Sequence, residues 1–450
     1  MIVTEDIRTI DPEISESIKK EMNRQKFGLE LIPSENYVSK AVLQAMGSIL
    51  TNKYSEGYPH KRYYGGNTNI DVIETLAIER AKKAFGVVHV NVQPYSGSPA
   101  NFAVCVATCN PTDTIMGLSL PEGGHLTHGW NASVTGNFFK SVQYGVKADG
   151  YIDIEQVRKL AHQHKPKLIW VGATAYVREF PFEEFSKIAD EVGAYLVADI
   201  AHIAGLIVGG AHKSPTPYVH IITTTTHKTL RGPRGGMIMV TEKGIKKDPD
   251  LATKVDKAIF PGLQGGPHDH TTAAIAVALN EALKPEFKEY ASQVVKNAKV
   301  LGKSLMDNGI KIVTNGTDNH MVLVDLTPFG KGKGVFVQEA LDEAGLTANK
   351  NTIPKDPSSP FYPSGLRLGT PAITTRGMKE IEMLKIGKLI SDIIFSVKDY
   401  NLPDSKEERI KYLHNFRKEL ETNKTIESAK VEVLELCNSF PIYDGMDILR

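Results

Sequence analysis

Short β-branched runs that alternate with amphipathic helical stretches are the feature that most constrains the fold of this chain. The runs predicted as strands are Val87–Val92, Lys167–Val171, Tyr195–Ala198, Val219–Ile222 and Met237–Val240. A helix predicted over Phe182–Val192, which Gly193 ends, separates two of them. Strands that alternate with helices are typical of a mostly parallel mixed sheet flanked by helices. We therefore expect an α/β fold that binds its ligands at the carboxyl ends of the strands.

The chain has 450 residues, more than one simple core usually holds, so we predict several parts. Residues 1–30 would form an N-terminal arm, residues 31–285 a large ligand-binding domain, and residues 286–450 a smaller C-terminal α/β domain with a charged helical tail. The other predicted elements are helices at Glu13–Asn23, Asn69–Phe85, Tyr290–Asp307, Val335–Ala344 and Lys379–Ser396, and strands at Lys311–Val313 and Met321–Asp325.

Composition excludes several classes of function. The 53 basic and 52 acidic residues nearly cancel, so no overall charge favours nucleic acid or a membrane surface. No apolar run approaches the roughly 18 residues that a membrane span requires, and the first residues lack the pattern of a signal peptide. Three cysteines do not suggest a disulfide framework, and Cys105 and Cys109 are better explained as small core residues on one helix face than as metal ligands. We expect a cytoplasmic protein.

A lysine and an aspartate follow two of the predicted strands. Lys228 lies in the hydroxyl-rich segment Thr223–Gly236, after the apolar run Tyr218–Ile222, and Asp199 ends the run Tyr195–Asp199. Pyridoxal phosphate requires a lysine for its Schiff base and a carboxylate that keeps its pyridine nitrogen protonated. Together the two residues therefore predict that cofactor, although alone each is also explained as a surface lysine or a loop-capping acid. His202 could contact the phenolic oxygen of the ring or hold Asp199.

Two further segments suit the same cofactor. Ser96, Gly97 and Ser98 join a strand to a helix, where a glycine, two hydroxyls and free N–H groups can cradle a phosphate; an ordinary helix cap is the alternative. The segment Gly123–Gly129 carries two histidines three residues apart, of which His125 could stack on a flat ring or merely pack in a loop. We consider half of a zinc site less favourable, because no cysteine or carboxylate completes it at a suitable spacing.

A tyrosine-rich loop and a buried arginine complete the candidate site. The segment Tyr54–Gly66 has neither helical nor strand periodicity, which is typical of a binding loop. Within it, Glu56 could exchange protons, and Tyr54 and Tyr64 could donate hydrogen bonds. Arg367 lies in a short apolar stretch, where its guanidinium suits the carboxylate of a substrate; an internal salt bridge is the alternative.

These segments together resemble the serine hydroxymethyltransferase family of fold-type-I pyridoxal phosphate enzymes. The resemblance runs in order through Leu31–Asn36, Tyr54–Gly66, Ser96–Asn101, Gly123–Gly129, Asp199–His202, Thr223–Gly236, Phe260–Pro267 and Arg367–Gly377. It weakens in the N-terminal arm and after about residue 394. Thr174 stands where the family usually has serine, and Arg231 stands where many members have another residue. Neither change removes a catalytic group.

The resemblance implies a role for each candidate residue. Lys228 would carry the cofactor, Asp199 would hold its ring nitrogen, and His125 would stack on its ring. The rest of the cofactor site would be Ser96, Gly97, Ser98, Thr174, His202, Thr225 and His227, with Tyr54, Gly265 and Gly266 from a neighbouring subunit. Ser34 and Arg367 would bind the substrate carboxylate, Glu56 and Tyr64 of the neighbouring subunit would handle protons, and Leu120, Gly124, Leu126 and Asn351 would bind the folate.

The implied reaction converts L-serine and tetrahydrofolate to glycine and 5,10-methylenetetrahydrofolate through a carbanion that the cofactor ring stabilises. The implied assembly is a homodimer or a tetramer with shared active sites. The alternative is a folate-independent aldolase that cleaves threonine or another β-hydroxy amino acid with the same cofactor. No resident metal is expected.

Overall fold

A computed structural model describes residues 4–446 of the chain. Its α-helices are α1 (Ile7–Ile10), α2 (Pro12–Phe27), α3 (Lys40–Met46), α4 (Thr68–Phe85), α5 (Gly97–Thr108), α6 (Val134–Phe138), α7 (Ile154–His164), α8 (Phe182–Val192), α9 (Ala204–Val208), α10 (Glu242–Lys247), α11 (Leu251–Lys257), α12 (Asp269–Ala282), α13 (Pro285–Asp307), α14 (Gly334–Glu343), α15 (Pro371–Thr375), α16 (Glu380–Val397), α17 (Lys406–Leu420) and α18 (Lys424–Ser439). None of these helices is both long enough and apolar enough to cross a membrane.

The strands are β1 (Leu29–Glu30), β2 (Gly57–Tyr58), β3 (Lys61–Arg62), β4 (His89–Asn91), β5 (Thr114–Leu118), β6 (Lys140–Tyr144), β7 (Leu168–Gly172), β8 (Tyr195–Asp199), β9 (Ile221–Thr225), β10 (Gly236–Val240), β11 (Met321–Asp325), β12 (Leu346–Thr347), β13 (Asn349–Asn351) and β14 (Gly365–Gly369). Seven of them form one sheet in the order β4-β10-β9-β8-β7-β5-β6. Strands β5 to β9 pair in parallel, and β10 is antiparallel to both β9 and β4. The predicted α/β fold with a mostly parallel mixed sheet is confirmed.

Helices cover both faces of this sheet. Successive side chains along a strand point to opposite faces, and in these strands the side chains on both faces are apolar. In β7, Ile169 and Val171 belong to one hydrophobic core, whereas Leu168 and Trp170 belong to the core on the opposite face. Strands with both faces buried have near-continuous apolar sequences, which explains why these runs are detectable in the sequence. Their carboxyl ends carry the polar segments discussed below.

A separate hydrophobic core, called here the C-terminal core, lies around a three-stranded sheet of β11, β14 and β13. Leu29 and Leu31 belong to it, because β1 pairs in parallel with β12. Helix α13 contributes Tyr290 and Val294 to the core that contains Ile169 and Val171 of the large sheet, and Leu301 to the C-terminal core. One helix thus joins the two cores, and the predicted division at residues 30 and 285 stays a prediction.

The individual elements match the sequence expectations with one clear exception. Helix α8 has the predicted bounds, and α4 ends at Gly86, whose φ of +66° is the left-handed conformation that favours glycine. The predicted strand Lys311–Val313 is wrong. Only Ile312 forms an isolated bridge, to Val324, and no strand continues beyond it because Thr314 and Asn315 adopt positive φ, which is incompatible with a strand.

Candidate active site

Lys228 lies in the loop that follows β9, at the carboxyl edge of the large sheet. Its Nζ donates a hydrogen bond to Thr225 Oγ1 over 2.9 Å, and its backbone carbonyl accepts one from Asn36 Nδ2. Burial lowers the pKa of Lys228 to about 8, an effect that the charge of Asp199 partly offsets. The side chain makes no ion pair with any residue in the range 4–446. It is therefore a partly buried amine that loses its proton easily and is available to react.

Asp199 ends β8 and is held by three donors. Its Oδ2 accepts hydrogen bonds from Asn101 Nδ2 over 2.8 Å and from His128 Nε2 over 3.0 Å, while Oδ1 accepts one from the backbone of Ala201. Burial raises the pKa of Asp199, but the His128 hydrogen bond and charge outweigh it, so the pKa lies below its ordinary value. Asp199 is thus a fixed carboxylate at neutral pH.

His128, which the sequence analysis did not assign, takes the position that was considered for His202. Its ring is stacked on Trp170 with centroids 5.0 Å apart, and only 1% of its side chain is exposed. Among the described residues His202 donates no hydrogen bond to Asp199, and its Nδ1 faces His320 Nε2 at 3.3 Å. The sequence carries no local signal for this role of His128, because Asp199 lies 71 residues away in the chain.

The two histidines of the Gly123–Gly129 segment have a carboxylate beside them, contrary to the sequence-based expectation. A carboxylate does lie beside the two histidines: one ligand atom from each of His125, His128 and Asp199 lies within 4.8 Å of the other two. Sequence spacing could not reveal this, because Asp199 is brought there by the sheet. In the structure, the hydrogen bonds of His128 and Asn101 already use Asp199 Oδ2.

The segment predicted to bind phosphate begins helix α5 next to the lysine loop. Ser96 is the N-cap residue, yet its side chain makes no capping hydrogen bond, so its hydroxyl remains available. A Cβ atom at Gly97 would lie 2.8 Å from Thr225 Cγ2, and one at Gly236 would lie 2.7 Å from the carbonyl of Ser96. The Thr225 side chain of β9 and the backbone of β10 therefore pack closely against the start of α5. Asn101 on the same helix reaches Asp199.

His125 and the loop before it lie beside Asp199. His125 Nδ1 contacts Thr127 Oγ1 at 2.7 Å, and burial lowers the pKa of His125 to about 4, so its ring is neutral. Gly124 cannot be replaced without movement, because a Cβ there would lie 2.0 Å from the carbonyl of Leu118. Leu126 is 48% exposed. The loop therefore presents a neutral ring and an exposed apolar side chain next to the carboxylate.

Arg367 reaches the same region from the C-terminal core. Its Nη1 donates to the Thr174 carbonyl over 2.6 Å, and its Nε donates to Asn349 Oδ1 over 3.1 Å. The side chain is buried and forms no ion pair with any residue described, so the alternative of an internal salt bridge is wrong. Burial lowers the pKa of Arg367 to about 10. A buried guanidinium with donors to spare and no protein carboxylate suits an anionic ligand.

Three other predicted residues lie around these groups. Ser34 is partly buried, and it follows Pro33, which packs so tightly on Gly369 that a Cβ there would lie 2.4 Å from Pro33 Cα. Asn351 pairs with Gly365 in the strand pair that also carries Arg367. His227 is partly buried, its Nδ1 has no hydrogen-bond partner among the described residues, and burial lowers its pKa to about 3.

The remaining predicted residues form a separate cluster within the chain. The rings of Tyr54 and Tyr64 meet edge to face at 5.1 Å, and both side chains are exposed. Glu56 lies beside Gly265, where an added Cβ would be 2.9 Å from Glu56 Oε1, and Tyr54 lies beside Gly266. In the described range, no hydrogen bond or ion pair links this cluster to Lys228, Asp199 or Arg367.

A buried charge network fixes the loop that carries the cluster. Arg62 donates to Asp71 over 2.8 Å, to Glu74 over 2.6 Å, and to the carbonyls of Ser55 and Gly57. The Arg62 side chain is 4% exposed, so removal of one partner would leave an uncompensated buried charge. The role of Arg62 in fixing this loop was not predicted, because its partners Asp71 and Glu74 lie on the following helix, α4.

Comparison with known proteins identifies the family. The model of the family described as serine hydroxymethyltransferase matches residues 7–390, most of the chain. The chain belongs to the serine hydroxymethyltransferase family. Curated serine hydroxymethyltransferases resemble it along nearly their whole length. The protein from Sorangium cellulosum is 54% identical over 97% of this chain and 96% of its own. The proteins from Acidothermus cellulolyticus (58% identical, 86% of this chain and 89% of its own) and Paracoccus denitrificans (51%, 98% and 98%) are also similar.

Serine hydroxymethyltransferases are fold-type-I enzymes that use pyridoxal phosphate and take tetrahydrofolate as co-substrate. The residues present in this chain fit that cofactor. Lys228 has an amine with no ion-pair partner among residues 4–446, and Asp199 has a fixed negative charge. Ser96, at the N-terminus of α5, has a hydroxyl that makes no capping hydrogen bond, and a Cβ at the adjacent Gly97 would meet the methyl group of Thr225. His227 adds a buried ring nitrogen that has no hydrogen-bond partner in the described part of the chain.

Proposed function

We propose that this enzyme converts L-serine and tetrahydrofolate reversibly to glycine and 5,10-methylenetetrahydrofolate. The observation that carries the proposal is the convergence of Lys228, Asp199 and Arg367 from different strands, where neither the lysine nor the arginine forms an ion pair with a carboxylate of residues 4–446. A reactive amine, a fixed anion and an unpaired guanidinium are the groups needed to hold pyridoxal phosphate and an amino acid together. Family membership supports the same reaction.

Each residue of the candidate site would have a separate role in binding or in proton transfer. Bound pyridoxal phosphate supplies an electron-accepting ring that stabilises negative charge at the substrate α-carbon. Lys228 would attach the cofactor and exchange with the substrate amine, which its lowered pKa favours. Asp199 would keep the ring nitrogen protonated, Arg367 would bind the substrate carboxylate together with Ser34, and neutral His125 would stack on the ring.

We assign the phosphate to Ser96, Gly97 and Ser98. The free hydroxyl of the N-cap residue and the positive end of the α5 dipole support that assignment. Thr174, His202, Thr225 and His227 would complete the cofactor site. Leu120, Gly124, Leu126 and Asn351 would bind the folate, which the neutral, partly exposed character of the Gly123–Gly129 loop supports.

We further propose that the active enzyme is at least a homodimer with shared sites. Tyr54, Glu56, Tyr64, Gly265 and Gly266 would act in the site of the neighbouring subunit. The exposure of Tyr54 and Tyr64 supports this assignment, as does the lack of a hydrogen bond or ion pair between the five residues and Lys228 or Arg367 in the described chain. We propose the cytoplasm as the location, because the three cysteines of the protein are free thiols, as is usual in a reducing compartment.

Subunit complementation tests the shared site. Glu56→Gln and Lys228→Ala would each inactivate a homodimer. If Glu56 acts in the partner's site, a mixed dimer of the two variants contains one site with both native residues, so mixing should restore up to about a quarter of the native activity. Mixtures that stay inactive, although exchange of subunits is demonstrated with tagged chains, would assign Glu56 to its own site.

Exchange of the glycine α-proton tests the function against the aldolase alternative. With pyridoxal phosphate present, the enzyme should exchange this proton with solvent deuterium much faster when tetrahydrofolate is added. The same preparation should cleave threonine slowly and without a requirement for folate. Fast threonine cleavage with an exchange rate that folate does not change would identify the protein as a folate-independent aldolase.

A further inference from the structure

The side-chain amide of Asn36 contacts the backbone of the loop that carries Lys228, 192 residues away in the chain. Its Nδ2 donates hydrogen bonds to the Lys228 carbonyl over 3.0 Å and to Tyr290 Oη over 2.7 Å. Its Oδ1 accepts hydrogen bonds from the Tyr37 backbone over 2.9 Å and from Thr375 Oγ1 over 2.7 Å. An amide has two N–H donors and one oxygen with two lone pairs, so Asn36 uses all four of its hydrogen-bonding positions.

These contacts also fix the orientation of the amide. The Lys228 carbonyl can only accept a hydrogen bond, so the Asn36 atom that faces it is the nitrogen. The backbone N–H of Tyr37 can only donate, so the atom that faces it is the oxygen. The reverse orientation would place carbonyl against carbonyl and N–H against N–H. The contact between Asn36 and Lys228 is therefore a hydrogen bond in the one orientation that satisfies both backbone groups.

The lysine loop contains a turn that needs support from such a contact. The backbone N–H of Arg231 donates to the same Lys228 carbonyl over 3.1 Å, and Arg231 has a φ of +57°. Few residues other than glycine adopt this left-handed conformation, which is stable only where surrounding contacts hold it. The guanidinium of Arg231 lies 4.1 Å from the ring centre of Tyr290, whose hydroxyl accepts a hydrogen bond from Asn36. Two donors thus hold the Lys228 carbonyl, and both residues also contact Tyr290.

The segment that ends at Asn36 connects the lysine loop to the C-terminal core. Ser34, proposed above for the substrate carboxylate, lies two residues before Asn36. Farther upstream, the Leu31 carbonyl accepts a hydrogen bond over 2.7 Å from the backbone of Gly369, the last residue of β14. Arg367 lies on the same strand. This short segment is therefore attached at one end to the strand of Arg367 and at the other end to the lysine loop.

We propose that Asn36 is a positioning residue that anchors the backbone of Lys228, so that its amine keeps a fixed place relative to the residues that bind the substrate carboxylate. Among the described residues, Lys228 Nζ is held by one hydrogen bond, to Thr225 Oγ1 over 2.9 Å. The anchored carbonyl fixes the other end of the lysine residue. The inference rests on the proposed function, which assigns Lys228 to the cofactor and Ser34 and Arg367 to the substrate.

Hydrogen exchange of the cofactor-free protein tests the anchor without measuring activity. Full-length native and Asn36→Leu proteins are compared by mass spectrometry of the peptides that cover residues 228–234, with the peptides of β7 as the internal reference. Leucine has no donor for the Lys228 carbonyl, so exchange in residues 228–234 should become about 2- to 10-fold faster, the usual effect of one lost hydrogen bond, while β7 does not change. Asn36→Asp also loses the donors but keeps the acceptor for Tyr37 and Thr375. It should show the same increase, and it carries the test if Asn36→Leu does not fold.

Thr375→Val is the matched control for the exchange measurement. It removes one hydrogen bond of the Asn36 amide but leaves the hydrogen bond to Lys228, so exchange in residues 228–234 should stay within twofold of the native rate. Native-like exchange in the Asn36 variants would overturn the inference, whether or not the protein proves to transfer hydroxymethyl groups. An equal increase in Thr375→Val would also overturn it, because the effect would then come from general loosening around α15.

The rate of cofactor attachment tests the consequence for Lys228. The amine of Lys228 adds to the aldehyde of pyridoxal phosphate and water leaves, so growth of the visible band after mixing reports how well the amine is placed. At saturating cofactor, Asn36→Leu should slow this growth about 2- to 10-fold and lower kcat with serine by a similar factor, whereas Thr375→Val should match the native enzyme. Native-like band growth and kcat in Asn36→Leu would contradict the inference. A native protein that forms no visible band would instead refute the proposed function, and the exchange rates would still decide whether Asn36 anchors the loop.

Discussion

Replacement of Arg367 by lysine isolates the part of substrate binding that needs a guanidinium. Arg367 has five N–H donors, of which one serves the Thr174 carbonyl and one serves Asn349 Oδ1. Three donors remain for a substrate carboxylate. A lysine at this position has three donors in total, so only one remains if it keeps the two protein contacts. The variant retains the positive charge but cannot form a two-pronged contact with a carboxylate.

The expected loss is at least one hydrogen bond to a charged group, about 1.5–3 kcal/mol. The value of kcat/KM for serine should therefore fall about 10- to 150-fold. Steady-state kinetics with a coupled assay for methylenetetrahydrofolate measures this value, and an absorbance titration measures the affinity for pyridoxal phosphate, which should not change. A kcat/KM within twofold of the native value would refute the assignment of Arg367 to the substrate carboxylate.

Arg376 provides a matched control, because it is also buried and forms no ion pair with a carboxylate in the described part of the chain. All five of its donors are used by backbone carbonyls, those of Gln25, Lys26, Gly28, Cys437 and Phe440. Arg376→Lys removes two donors and should destabilise the fold by about 3–6 kcal/mol, while kcat/KM of the folded enzyme stays the same. The two substitutions should thus separate activity from stability.

Two further predictions concern the cofactor site. The pKa of Lys228 lies near 8, below its ordinary 10.5, so the charged lysine destabilises the folded state fully below pH 8, and this cost disappears as the pH rises from 8 to 10.5. Lys228→Met should therefore be more stable than the native cofactor-free protein by about 3 kcal/mol at pH 7, and the urea midpoints of the two proteins should converge toward pH 10.5; a difference that does not change with pH would contradict a lowered pKa of Lys228. Gly97→Ala places a Cβ 2.8 Å from Thr225 Cγ2 and should weaken pyridoxal phosphate binding at least about tenfold, whereas Gly193→Ala, with open space around its Cβ position, should not.

The sequence predicts the architecture well for a physical reason. Strands such as Leu168–Gly172 are apolar on both faces, and the polar residues that follow them must gather at one edge of a parallel sheet. The confirmed fold, family and cofactor class follow from that regularity and from the spacing of the motifs. Strand β6 was not predicted because its sequence, KSVQY, is mostly polar and half exposed. Strand β5 was not predicted although its sequence, TIMGL, is largely apolar and buried.

Contacts between residues that are far apart in the chain could not be predicted from the sequence. Nothing in the sequence links His128 to Asp199, which lie 71 residues apart, or His320 to His202, which lie 118 residues apart. Arg231, which departs from the family pattern, lies 4.1 Å above the ring of Tyr290 on α13. The first pairing forms when parallel strands of the large sheet bring their carboxyl ends together, and the second forms when that sheet and the C-terminal core assemble.

Transfer of the labelled carbon tests the central claim most directly. The purified protein, loaded with pyridoxal phosphate, is incubated with L-serine labelled with ¹³C at its hydroxymethyl carbon and with tetrahydrofolate, and the products are followed by NMR. The account predicts that the label appears in the methylene group of 5,10-methylenetetrahydrofolate, that unlabelled glycine forms in equal amount, and that Lys228→Ala forms neither. Serine that remains unchanged, or label that never enters the folate, would contradict it.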